Sequence, residues 1–456
     1  MMDAGRVLTF VAAAMIVCSG ARVVTGYDFS NLTALAAGAL EGENVAQRVS
    51  GFEIRLLKRG VPLYHQAFGD WSLDRPANVD SSSKTMSGAL VMSVVDSSEG
   101  GFSLDSRLGD FLSEYDTPEF EAITIRQAFS HTSGISGEDA GSLLLLNPFI
   151  TLREAARRIS ETPLAHGPPG STFAYGGLSM QATGAALEVA TGRRYVDLFA
   201  ERIAGPLQLA NTEFVIASDL NPRVAGGIES TASDFSRFMD MLANEGVDRA
   251  TGLRVLSAES VAEMLRRQTT DDQPIANSPV DNNRYGIGVW IDQLGQAGPT
   301  VDAIAGGARG FHSWIDQSQD LVFTFATDVT SFQNVEVLSS LMHAAILESV
   351  GLEGDFDRNG VVDAVDYSKW QAEFGESVAP FDGADGNGDS VVDAADYTVW
   401  RDNALAPGPL GTVPEPHTTP LLFQLWVMTM TRCRRSRSCR SMDPMLRFIN
   451  DSELRR

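Results

Sequence analysis

Apolar and polar positions alternate on either side of Arg59-Gly60, and this is the first fold signal in the chain. Residues 52–58 and 61–68 pattern as two strands joined by a glycine turn, which predicts a β-hairpin. An almost unbroken apolar stretch over 86–95 follows and predicts a buried helix, with further helices among caps and turns to about residue 220. Strand-like runs return at 285–291, 301–305, 311–315 and 321–327, and an amphipathic helix is predicted over 332–350. Strands at both ends of a helical middle predict one sheet assembled from both ends, flanked by helices and carrying an inserted helical subdomain. That is an α+β architecture.

Composition narrows the setting. The 456 residues suffice for a large core plus appendages. A formal charge of −24 argues against nucleic acid and anionic lipid as partners. Cysteine occurs only at Cys18, Cys433 and Cys439, so no disulfide or cysteine-ligated metal holds the long middle, and the fold rests on packing. Residues 1–21 pattern as a secretory signal: Arg6 is the basic start, 7–17 the apolar core and Ser19-Gly20-Ala21 the small-residue cleavage site. Export to the periplasm, cell surface or medium is the expectation.

Candidate chemistry begins at Ser81-Ser82-Ser83-Lys84. The chain has only three lysines, Lys58, Lys84 and Lys369, and one of them follows a serine by three residues at the head of the apolar helix. Three residues is just under one helical turn, so Ser81 and Lys84 share a face. A serine hydroxyl becomes a nucleophile when a neighbouring base takes its proton, and an amine stripped of water by burial can be that base. The backbone N–H of Ser81, at a helix start, is placed to meet a developing oxyanion. The ordinary alternative is that Asp80 and the serines merely cap a helix and Lys84 is solvated.

Several ordered segments give the pattern its meaning. Ser81-Ser82-Ser83-Lys84 is followed by Leu104-Asp105-Ser106-Arg107-Leu108, by 124–134 (Thr-Ile-Arg-Gln-Ala-Phe-Ser-His-Thr-Ser-Gly), by Gly226-Gly227-Ile228-Glu229-Ser230-Thr231-Ala232 and by Arg254-Val255-Leu256-Ser257. Together they resemble the serine β-lactamase/D,D-peptidase superfamily, in its class C-like branch with the family VIII carboxylesterases, over about residues 28–350. The resemblance implies a β-lactamase/transpeptidase-like fold and a nucleophilic Ser81 paired with Lys84. The second motif, Tyr-x-Asn, falls on Tyr175-Gly176-Gly177: the proton-relaying phenol is kept, and Gly177 removes the amide donor. The third motif, Lys-Thr-Gly or a variant, falls on Ala305-Gly306-Gly307, with Ala308 implied as the second oxyanion donor beside Ser81. Gly306 and Gly307 would let substrate approach the strand, and Arg309 restores a positive charge if its side chain faces the cleft. Loss of the lysine and of the asparagine points to neutral esters. His131 and His312 have no acidic partner of a Ser-His-Asp kind and are expected to be packing residues. Catalysis should need no cofactor.

Two near copies thirty residues apart close the readable chain. The first loop offers Asp355, Asp357, Asn359, the Val361 carbonyl, Asp363 and Asp366 at positions 1, 3, 5, 7, 9 and 12. The second offers Asp385, Asn387, Asp389, the Val391 carbonyl, Asp393 and Asp396, with Ser390 where the first has Gly360. Hard oxygens at this spacing suit Ca²⁺, so two ions are expected. The pair resembles a type I dockerin, which implies a small all-helical calcium-binding module over 354–403 and a cohesin-like or cell-surface scaffold as partner. Residues 404–456 pattern as a linker and tail, with Val413-Pro414-Glu415-Pro416, an apolar run at 421–430 and arginines over 432–440, similar to a Pro-Glu-Pro sorting tail and open to membrane association. Three functions stay open: a carboxylesterase, a D-alanyl-D-alanine carboxypeptidase or β-lactamase acting on a peptide-like substrate, and a silent calcium-dependent scaffold protein.

Overall fold

An antiparallel sheet forms the backbone of the fold. The computed structural model describes residues 19–20, 26–137, 142–280, 282–291 and 301–404, so most of the predicted leader and all of the predicted linker and tail after Ala404 lie outside the described residues. The strands are β1 (Ser19–Gly20), β2 (Gly51–Lys58), β3 (Val61–Gly69), β4 (Trp290–Ile291), β5 (Ala303–Gly306), β6 (His312–Asp316) and β7 (Leu321–Ala326). Their order is β1-β3-β2-β7-β6-β5-β4, with every neighbour antiparallel. The early hairpin and the strands after residue 300 therefore meet at the β2–β7 pairing, where Ile54 lies opposite Phe325 and Leu56 opposite Phe323.

Helices cover both faces. Those used below are α1 (Ser30–Glu41), α2 (Ser83–Ser97), α3 (Leu178–Thr191), α4 (Ala232–Ala243), α5 (Phe332–Val350), α6 (Ala364–Glu373) and α7 (Ala394–Asn403). Alternation sorts the side chains: Phe52, Ile54, Trp314, Phe323 and Phe325 pack towards α1 and α5, while Ala305, Ile315 and Val322 join the larger core with α2 and α4. Phe52 and Phe325 stack at 4.5 Å, and Trp314 and Phe323 at 4.9 Å. Each such side chain contributes about 1.5–3 kcal/mol by leaving water. The α2 helix is buried on every side from Ser83 to Val94, which explains why its sequence lacks a polar face.

One predicted strand is corrected. Of residues 285–291 only Trp290–Ile291 is a strand, because the run folds back on itself, with Tyr285 bridging Trp290. Gly288 has φ +78° and lies so close to α2 that a Cβ would stand 2.3 Å from the Lys84 carbonyl oxygen.

The two repeats form a pair of helices locked reciprocally. Trp370 Nε1 on α6 donates to the Asp393 carbonyl, and Trp400 Nε1 on α7 donates to the Asp363 carbonyl, each at 2.7 Å. The pair does not stand apart from the rest of the fold. Lys58 and Arg59 at the β2–β3 turn both bind Glu353 at 2.9 Å, Arg59 reaches the Gly386 carbonyl, and Arg358 lies over the Tyr27 ring at 5.0 Å. The compact unit accordingly runs to Ala404.

Candidate active site

The turn before α2 presents Ser81. Asp80–Ser82 is a single 3-10 turn that hands over to α2, which leaves Ser81 at the surface of the core while Ser82, Ser83 and Lys84 are buried. Lys84 is only 1% exposed, so the solvated lysine of the ordinary alternative is not what the structure holds. Its Nζ donates to Ser81 Oγ at 3.0 Å and to the Ala225 carbonyl at 2.9 Å, and stands 4.6 Å from the centroid of the Tyr175 ring. A buried amine in contact with a serine hydroxyl, with a phenol ring beside it, is an arrangement able to move a proton off that hydroxyl.

Tyr175 is held from three sides. Its backbone is pinned by Asn277, whose carbonyl accepts from Tyr175 N at 2.9 Å and whose Nδ2 donates to the Tyr175 carbonyl at 2.7 Å. Its ring stacks on Trp290 at 5.4 Å and lies 4.5 Å from His131. Burial, and secondarily the charge of Lys84, pushes the His131 imidazole well below its ordinary pKa, so it packs as a neutral ring and its Nδ1 accepts from Gly176 N at 3.4 Å. Burial likewise raises the Tyr285 phenol well above its usual range. His312 is a packing residue too, bridging the Gly310 carbonyl and Ser339 Oγ, with burial lowering it to about 4. Gly177 is buried at the start of α3 and offers no side chain to a substrate.

The third-motif turn closes against the turn that carries Ser81. Ser82 Oγ donates to the Ala305 carbonyl at 3.0 Å. A Cβ at Gly307 would lie 2.4 Å from the Val79 carbonyl oxygen, whereas at Gly306 it would meet nothing within 4 Å. Ala308 is exposed at the tip, its carbonyl accepting from Phe332 N at 3.3 Å. Ser81, Lys84 and Tyr175 are thus brought together, and the turn that carries Gly306, Gly307, Ala308 and Arg309 is fastened to the residues flanking Ser81 by the Ser82–Ala305 and Asp80–Arg309 bonds.

Arg309 is where the structure departs most from the sequence expectation. Its guanidinium does not stand free for a substrate: Nε and NH2 donate to the two carboxylate oxygens of Asp80 at 2.9 and 3.1 Å, and its backbone N–H adds a third bond at 3.1 Å. The hydrogen bonds to Asp80 hold the guanidinium above its ordinary pKa. Asp80 makes no helix-capping bond and has φ +47°. Sequence reasoning passed over Asp80 as a capping residue and did not reach Asn277, Trp290 or the Ala225 carbonyl. Adjacency to Ser81 was the one available signal, and only for Asp80.

In the repeats, one carboxylate oxygen each of Asp355, Asp357 and Asp366 lies within 4.8 Å of the others. Asp363 and Asp393 cap α6 and α7, and Asp366 and Asp396 fold back onto the N–H groups of Asp363 and Asp393 at 2.8 and 2.7 Å. Burial raises Asp385 and Asp396 above the usual carboxylate range. This donor set is all oxygen, dense in negative charge and partly withdrawn from water, so it fits a hard divalent cation. Among the described residues no helix is long and apolar enough to cross a membrane.

Comparison with known proteins agrees with the architecture. Residues 33–343 match the family described as Beta-lactamase. The D-alanyl-D-alanine-carboxypeptidase/endopeptidase AmpH of Escherichia coli K12 is 24% identical over 297 residues, covering 58% of this chain and 74% of its own. A candidate β-lactamase of Bacteroides dorei, solved by crystallography, superposes with a TM-score of 0.59 at 25% identity, covering 70% of this chain and 99% of its own. A family VIII carboxylesterase structure gives a TM-score of 0.57 at 17% identity, covering 70% and 97%.

Proposed function

The chain belongs to the β-lactamase family, and from that premise we propose that it is an exported serine hydrolase that cleaves small neutral esters through an acyl-enzyme. The observation that carries this reading is the 3.0 Å contact between the buried Lys84 Nζ and Ser81 Oγ. Ser81 Oγ attacks the ester carbonyl while the Lys84 amine takes its proton, and the resulting ammonium stays bound to the Ala225 carbonyl. Tyr175, beside Lys84, relays a proton to the leaving alcohol. The backbone N–H groups of Ser81 and Ala308 receive the oxyanion, and water then releases the acid. Gly177 supplies no amide donor, and Arg309 is paired with Asp80, so the groups that would hold an acyl amide and a carboxylate are missing or engaged.

The likeness to a D-alanyl-D-alanine carboxypeptidase favours a second reading, a peptidase acting on D-alanyl peptides. Residues 355–366 and 385–396 are proposed to hold one Ca²⁺ each, through the oxygens of Asp355, Asp357, Asn359, Val361, Asp363 and Asp366 and their counterparts, including Asn387, Asp389 and Val391. The ions would tie the loops to α6 and α7, and a scaffold module is the proposed partner. Hydrolysis of p-nitrophenyl acetate by the protein and by its Ser81→Ala variant tests the catalytic reading. Turnover lost in the variant supports it, while equal rates, or no turnover in either, move the weight to a silent binding protein.

A further inference from the structure

We propose that Asp80 and Arg309 form a clamp that sets the substrate class, by fixing the two oxyanion donors relative to each other and by withholding the guanidinium from a substrate carboxylate. The inference rests on the serine hydrolase reading and extends it to specificity. Asp80 directly precedes Ser81, and Arg309 directly follows Ala308, so each partner is one peptide unit from a proposed oxyanion donor. Three hydrogen bonds of 2.9–3.1 Å join them, two from the guanidinium and one from the Arg309 N–H. A bidentate arginine–carboxylate pair has a fixed geometry as well as strength, so it sets a distance.

The backbone indicates that the clamp is held under constraint. Asp80 adopts φ +47°, in the left-handed region that L-residues other than Asn and Asp rarely enter. In that conformation the carboxylate meets the third-motif turn, which Ser82 Oγ already ties down through the Ala305 carbonyl at 3.0 Å. Electrostatics point the same way. A bare carboxylate next to Ser81 would oppose the negative charge that develops on the substrate oxygen, and Arg309 neutralises it. Conversely, a free guanidinium at the end of this strand would bind a carboxylate bidentately, and Asp80 occupies that role. The Arg309 side chain is 43% exposed and the Asp80 side chain 13%, so the cation borders solvent while its partner is covered.

The test is a nearly isosteric substrate pair of different charge: m-carbamoylphenyl acetate and m-carboxyphenyl acetate. Wild type is expected to favour the neutral ester. Asp80→Asn keeps the side-chain shape, tolerates positive φ and frees the guanidinium. It should raise kcat/KM for the acidic ester relative to the neutral one about tenfold, chiefly through KM, and Asp80→Asn/Arg309→Gln should abolish that gain. Arg309→Gln alone should lower kcat on both esters about tenfold or more with KM little changed, and the double variant should recover part of that kcat. Ser81-dependent turnover with an unchanged ratio in Asp80→Asn overturns the clamp alone. Absence of turnover of either ester by wild type overturns the hydrolase reading and the clamp with it.

Discussion

Gly307→Ala is the substitution whose consequence can be worked most directly from the geometry. The new methyl would stand 2.4 Å from the Val79 carbonyl oxygen, 2.9 Å from the Phe311 carbonyl oxygen and 3.3 Å from Ser82 Oγ. Two of those neighbours are backbone, so they cannot rotate aside. Ordinary contact begins near 3.4 Å, so the third-motif turn and the nucleophile turn must separate by about 1 Å. Overpacking of this kind costs about 1–3 kcal/mol. At ~2.1 cal/mol/K of unfolding entropy per residue, that lowers Tm by about 1–4 °C in a body of this size. The catalytic effect is larger, because a 1 Å displacement between groups that act together costs about a hundredfold in rate. Gly306→Ala is the matched control for stability: its methyl meets nothing within 4 Å, so Tm should not move. The assay is Ser81-dependent hydrolysis of p-nitrophenyl acetate alongside calorimetric melting of both variants. Wild-type turnover in Gly307→Ala, or an equal drop in Tm in the two variants, would refute the argument that these turns must stay in contact.

Lys84→Met fills the same buried space without the amine and should lower kcat about 10²–10⁴-fold while the protein stays folded, as checked by circular dichroism and ester turnover. Chelating calcium should change the emission of Trp370 and Trp400, whose indoles bind the two loops, and should lower Tm; identical emission and melting with and without EGTA would count against calcium. Burial raises Asp240 to about 7, only partly offset by Arg249. Because the folded pKa lies above the unfolded value, the stability associated with the protonated form is present below about pH 4 and lost as pH rises through about 7. Asp240→Asn should therefore flatten that decline, gaining up to a few kcal/mol over wild type at pH 8 compared with pH 4, as measured by urea unfolding.

How far the sequence reached depended on the distance over which each signal acts. The β2–β3 hairpin was legible because its turn is local: Arg59 and Gly60 both take positive φ, as a two-residue hairpin loop requires. The helix at 332–350 was legible from its own apolar periodicity, and it starts at Phe332 and ends at Val350 as predicted. The run 285–291 misled because Tyr, Ile, Val and Trp favour strands, while Gly286 and Gly288 fold it against Met264 and Lys84. Ser81 and Lys84 were found from their spacing within one turn. Asp80 and Arg309 were not joined, because 229 residues separate them and only the assembled sheet brings them together. The same holds for Trp290 against Tyr175. Chemistry within one helical turn was readable from spacing, Tyr175 and the 305–308 turn only through the family resemblance, and the Asp80–Arg309 and Tyr175–Trp290 pairs not at all.

The central claim is that Ser81 is the nucleophile. Its most direct test is mass spectrometry of the protein after exposure to a neutral fluorophosphonate ester. The account predicts one covalent adduct, on the peptide containing Ser81, absent in Ser81→Ala and much slowed in Lys84→Met. No adduct, or an adduct on another residue that persists in Ser81→Ala, would contradict it.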